Sequence, residues 1–173
     1  MVRTVSLGKV SMTQKVLLVG VNNYAAVGTS GSNLRNCVNN ILDMANTLNT
    51  LSVVHATHRV MHILTDARAT KAAILDGFQW LIVGAKKGDT LVFFYSGHGS
   101  QVTDMSGDKV DKKDETIYPY DYVTAGMIKD QDFYALLEEL PAGVNPLWMR
   151  IPYPASSSMK GQSGQRMLLF YLD

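Results

Sequence analysis

His98 stands in the segment Ser96-Gly97-His98-Gly99-Ser100, at the end of an apolar run that begins at Thr90. Imidazole can carry a proton near neutral pH. In open α/β sheets, reactive groups collect at the carboxyl ends of strands, where loops converge on a ligand. Glycine on both sides removes side-chain bulk, so a substrate backbone can approach closely. Free backbone N–H groups at such a turn can also face a developing oxyanion. Two readings of this local pattern stay open: a proton-transfer site, or a tight turn carrying an exposed histidine. His55, His58 and His62 have no metal-ligand company and read as structural or solvated. Cys37 is the only cysteine. It sits near a predicted helix start, where the helix dipole lowers a thiol's pKa. A lone cysteine on an apolar helix start is more often a packing residue, and Cys37 is read as one.

The elements that must position these residues follow from periodicity. Lys15 to Val21 is a short apolar run closed by Asn22-Asn23-Tyr24, a strand buried on both faces. Leu34, Val38, Ile41, Leu42, Ala45 and Leu48 recur at helical spacing, with Asn33 as the expected N-cap. Arg59 to Thr65 reads as a second strand. Thr70 is placed to cap a helix whose apolar side is Ile74, Phe78, Leu81 and Ile82. Thr90 to Ser96 is a third strand. The order βαβαβ with short links predicts a mainly parallel sheet with helices on both faces. Asp104, Asp108 and Asp111 alternate with lysines in a polar loop and read as solvated. Asp130 is expected to cap a further helix that Pro141 ends. Residues 146–166 carry three prolines with serines and glycines and no periodicity, which predicts an irregular insert. Residues 167–173 read as a final strand.

Bulk properties exclude several function classes. The 173 residues suffice for one domain, with 46% hydrophobic and 18% charged residues. A net charge of +1 gives no field to draw nucleic acid or a membrane surface. No apolar run is long enough to span a bilayer. The first fourteen residues, read as an N-terminal extension, lack an apolar signal core, and one cysteine permits no internal disulfide. Both features point to a reducing, cytoplasmic setting.

The motifs together resemble one family. The segment YSGHGSQ after an apolar strand, followed by DETIYPYDY, is similar to the metacaspases, caspase-like cysteine peptidases. KVLLVGVNNY, LRNCVNNILDMANTL, ILTDARATKAAILDGFQWL and AGMIKDQDFYALLEELPAGVN agree with that family in order and spacing, from about Lys15 to Asn145. The resemblance implies a caspase-like α/β domain over residues 15–145, matching the family's type I p20 catalytic region. It implies hydrolysis of peptide and protein substrates after Arg or Lys by a Cys–His dyad. His98 matches the dyad histidine, and the Gly99 N–H matches an oxyanion contact. Cys37, Asn40, Ser96 and Asp173 match the pocket for the basic side chain preceding the scissile bond, the P1 residue. Asp114 and Asp130 match acidic positions of a calcium site. No cofactor is required, and calcium would be held weakly, because Gln131 stands where the family has a further carboxylate.

The sequence departs from the pattern at two points. Asn40 replaces an aspartate, so the P1 pocket keeps a hydrogen-bond acceptor and loses a charge. The nucleophile motif that should follow the last strand is absent, and Asp173 would be its first residue. The expectation is therefore an incomplete, inactive peptidase domain. A natural pseudoenzyme, a fragment and a misread gene all fit, and the aperiodic insert favours the last two. The alternative is a non-catalytic caspase-like domain that regulates or binds a partner. A nucleotide-binding domain fits less well, because the glycine loop near Gly28 lacks both GxGxxG and a Walker lysine.

Overall fold

In a computed structural model, residues 12–24, 33–50, 56–103, 113–154 and 168–170 are described. The central strands are β1 (Met12–Gly20), β2 (Ala56–Thr65) and β3 (Thr90–Thr103), with β1 between the other two and parallel to both. Helix α1 (Cys37–Thr50) links β1 to β2, and α2 (Lys71–Ile82) links β2 to β3. The sheet then turns antiparallel through β4 (Lys113–Ile117) and β5 (Ile128–Lys129). A short helix α3 (Tyr122–Ala125) precedes β5, and α4 (Asp130–Leu137) follows it. The last strands are β6 (Asn145–Pro154), parallel to β3, and β7 (Leu168–Phe170), antiparallel to β6.

Side chains of β1 and β3 alternate between two cores, as strand geometry requires. Leu17, Val19, Leu91, Phe93 and Tyr95 pack with Ile74, Phe78 and Leu81 of α2. Val16, Leu18, Val92 and Phe94 pack with Ile41, Ala45 and Leu48 of α1. The helices therefore cover opposite faces, and the connections reverse direction at the carboxyl ends of β1 and β3. That junction is where doubly wound sheets open a crevice for ligands. Gly20 makes it tight: a Cβ there would lie 2.5 Å from Ile41 Cγ1 and 2.9 Å from Cys37 O.

Four expectations are corrected. First, β3 does not end at Ser96; it runs straight through Gly97-His98-Gly99 to Thr103, because strands on both edges continue to pair with it. Second, Asn33 does not cap α1. Its Oδ1 accepts the Tyr24 N–H at 3.2 Å, and Asn22 Oδ1 accepts Cys37 N–H at 2.8 Å and Val38 N–H at 3.3 Å. Third, Asp130 is the first residue of α4, and its cap contact comes from Asp132, which accepts the Lys129 N–H at 3.0 Å. Thr70 caps α2 as expected, accepting the Ala73 N–H.

Fourth, the insert over 146–166 is not irregular at its start, since Asn145–Pro154 is a strand. The reason lies in the parity of its prolines. Asn145 donates to Asp89 O at 2.8 Å, so odd-numbered residues of β6 face the β3 edge. Pro146, Pro152 and Pro154 are all even-numbered, so the missing N–H groups fall on the outer edge. There β7 pairs only between them, at Trp148, Met149 and Arg150. Residues 155–167, Asp173 and the loop aspartates Asp104, Asp108 and Asp111 lie outside the described residues.

Candidate active site

Backbone alternation places His98 where one edge of β3 changes partner. Val21 of the β1 side donates to Ser96 O at 3.0 Å, and Tyr118, after β4, donates to His98 O at 3.1 Å. Carbonyls two residues apart face the same edge. β4 thus takes over the edge that β1 vacates, and His98 occupies the gap between them. Its own N–H, on that edge, donates to Tyr24 Oη at 2.7 Å. His98 is 7% exposed, so it is a covered strand residue rather than an exposed turn histidine. Its ring lies 5.0 Å from that of Tyr24 and 6.1 Å from that of Tyr118.

Gly97 has an internal reason to be glycine. A Cβ there would fall 2.3 Å from Tyr95 Oη and 2.9 Å from Tyr24 Oη. The absent side chain therefore makes room for two tyrosines beneath the strand. Gly99 is odd-numbered, so its N–H faces the opposite edge of β3, along which β6 runs to Pro154.

Three of the four expected P1-pocket residues come together on the α1 face. Asn40 Nδ2 donates to Ser96 Oγ at 3.0 Å. The Cys37 thiol hydrogen-bonds with the Ser96 side chain and is fully buried. Burial pushes that thiol up to about 11, a shift the Ser96 hydrogen bond opposes and nearby Asp66 reinforces. The helix N-terminus does not produce a thiolate here, because desolvation outweighs the dipole. Asp66 also braces the pocket floor: its Oδ1 accepts the N–H groups of Asn22 at 2.8 Å and Asn23 at 2.9 Å. It does so at φ 45°, the left-handed region that aspartate tolerates better than most residues.

The expected calcium residues lie on neighbouring backbone. Asp114 pairs with Val102 in β4, and Asp130 follows β5, whose Lys129 pairs with Thr116. Asp130 Oδ1 accepts the Gln131 N–H at 2.9 Å. Among the described residues no three His, Cys, Asp or Glu side chains form a metal cluster. Two carboxylates fall short of the six to eight oxygens calcium takes. His62 is exposed and stacks on Trp80 at 3.7 Å between ring centroids, a surface packing contact. The residues that the sequence reading missed are Tyr24 and Tyr95. The Tyr24 contact with His98 spans 74 residues and depends on strand order, while Tyr95 reaches the His98 carbonyl from three residues earlier on the same strand.

A family model described as the metacaspase, peptidase C14 domain matches residues 14–149. Metacaspase-1 of Meyerozyma guilliermondii is 40% identical over 147 residues, covering 81% of this chain and 34% of that protein. Metacaspase-1 of Schizosaccharomyces pombe is 36% identical over 137 residues, covering 75% of this chain and 31% of that protein. The chain thus spans about a third of the length of these curated relatives. A crystal structure of a protein from Geobacter sulfurreducens superposes with a TM-score of 0.65 at 30% identity, covering 81% of this chain and 50% of that one.

Proposed function

The chain belongs to the metacaspase family of peptidase C14 domains, caspase-like cysteine peptidases that act on proteins, and we propose that it carries the base-bearing half of the peptidase site. The supporting observation is that Asn40 and Cys37 both meet Ser96, which lies opposite the last residue of β1 and two residues before His98 on β3. In this reading a thiol that is not Cys37 loses its proton to His98. The thiolate attacks the scissile carbonyl carbon. The C–N bond then breaks as His98 returns the proton to the departing amine. The oxyanion contact expected of the Gly99 N–H would require β6 to give up its pairing with Gly99, because that N–H lies on the β3 edge that β6 covers. Water hydrolyses the remaining thioester.

Cys37 is assigned to the pocket wall, since a buried thiol held protonated is a poor nucleophile. The nucleophile is assigned to sequence outside these 173 residues, so this chain alone is proposed to be inactive. Basic P1 side chains are the proposed ligands, held by the Asn40 carbonyl oxygen without the help of a charge. Calcium is proposed as a weak ligand at Asp114 and Asp130, and no catalytic step depends on it. A cytoplasmic location belongs to the same proposal; no helix among the described residues is long and apolar enough to cross a membrane. The covered His98 and protonated Cys37 also suit the second reading, a non-catalytic binding domain. The test is an NMR titration with a short peptide ending in arginine. Shifts centred on Asn40, Ser96 and His98 are expected; shifts confined to other surfaces reject the site.

A further inference from the structure

Resting on the reading of His98 as the peptidase base, we propose that Tyr24 is a positioning residue for His98, closing with Tyr95 a ring of hydrogen bonds through the histidine's own peptide groups. The edge of β3 that changes partner leaves one donor without a strand opposite it, the His98 N–H. Tyr24 Oη accepts that proton at 2.7 Å. The Tyr24 and Tyr95 hydroxyls hydrogen-bond with each other. Tyr95 Oη lies 2.8 Å from His98 O and 2.9 Å from Tyr118 O. The donors and acceptors balance in one direction only: His98 N–H to Tyr24, Tyr24 O–H to Tyr95, and Tyr95 O–H to the carbonyls of His98 and Tyr118. A closed ring of this kind polarises its members and holds them together.

The ring fixes both peptide groups of one residue, and so the direction in which its imidazole leaves the strand. Tyr24 acts a second time through its aromatic face, whose centroid is 5.0 Å from the imidazole at an interplanar angle of 34°. Tyr24 is itself held, its N–H by Asn33 at 3.2 Å and its ring edge-on to Tyr122 at 5.8 Å. The glycine at position 97 is the space the two hydroxyls need. Both phenols are buried, at 8% and 0% exposure, and burial keeps them protonated and able to donate.

The test needs no substrate, so its outcome is independent of whether His98 serves a peptidase; peptide cleavage tests that separately. In NMR of the 173-residue chain, Tyr24→Phe should speed exchange of the His98 amide roughly tenfold or more. It should also move the midpoint of the His98 imidazole titration, while the amides of Leu17 and Val19 keep their protection. A purely structural role would loosen all these amides together and leave the imidazole midpoint in place. Either that pattern or an unchanged His98 would overturn the proposal. If Tyr24→Phe does not fold, 3-fluorotyrosine at position 24 keeps the size and weakens the oxygen as an acceptor. The His98 amide proton should then move upfield, and an unmoved proton would equally overturn it.

Discussion

The Asn40 amide donates to the Ser96 hydroxyl across 3.0 Å, joining the first turns of α1 to the middle of β3. Cys37 hydrogen-bonds with the same serine. One hydroxyl therefore organises the wall of the pocket proposed for a basic side chain. Asn40→Asp would place a charge on that wall without changing its shape. A charge-assisted hydrogen bond is roughly twice as strong as a neutral one. Binding of an arginine-ended peptide, measured by NMR or calorimetry, should tighten about tenfold, on the order of 1.4 kcal/mol. Unchanged affinity would remove Asn40 from the pocket.

Gly97 should tolerate no side chain. Its would-be Cβ meets Tyr95 Oη at 2.3 Å and Tyr95 Cζ at 2.6 Å. Overpacking of this kind costs about 1–3 kcal/mol. Urea unfolding of Gly97→Ala should show that loss. Adding Tyr95→Phe should relieve only part of it, because the ring carbon remains in the way. Full stability in Gly97→Ala would mean that the glycine serves only substrate access.

Cys37 supplies a pH dependence with a definite sign. Its thiol is raised from 9.0 to about 11 by burial. Below pH 9 the folded and unfolded chains are both protonated, and the contribution to stability is fully present. Between pH 9 and 11 the unfolded thiol ionises first, so stability falls as pH rises. The stability advantage of the native chain over Cys37→Ala should shrink across that window and be flat below it. Iodoacetamide should alkylate Cys37 slowly at pH 7 in the folded chain and rapidly in urea. Fast alkylation of the folded chain at pH 7 would make Cys37 a candidate nucleophile and contradict its place in the pocket wall.

Calcium should bind weakly. With a dissociation constant on the order of 1 mM, 10 mM calcium would stabilise the chain by about 1.4 kcal/mol. Urea unfolding should show that gain, and Asp130→Asn should abolish it. No gain in the native chain would remove the site.

The sheet's centre was legible because β1, β2 and β3 are apolar runs and α2 carries both its cap and its period. The P1 cluster was legible only through the family resemblance, since Asn40 and Ser96 have no local signature; the glycine-flanked strand end marked His98 as a candidate, and the resemblance chose between its two readings. Three features escaped for one physical reason: their determinants are distant in sequence. Asn22 caps a helix that begins at Cys37. Tyr24 supports a histidine 74 residues away. The Gly-His-Gly segment looks like a turn until strands pair with both its edges. The β6 strand did carry a local signal, in prolines that all fall on even positions. Proline content alone suggested an irregular chain; proline parity would have allowed an edge-facing strand.

The central claim is that His98 is a peptidase base whose nucleophile is not among these residues. Hydrolysis of Arg- and Lys-containing peptides, with calcium present, by the purified chain and by His98→Ala tests it most directly. The account predicts no cleavage above background from either. Cleavage by the native chain that His98→Ala abolishes would contradict it, because a thiol within the 173 residues would then be serving as the nucleophile.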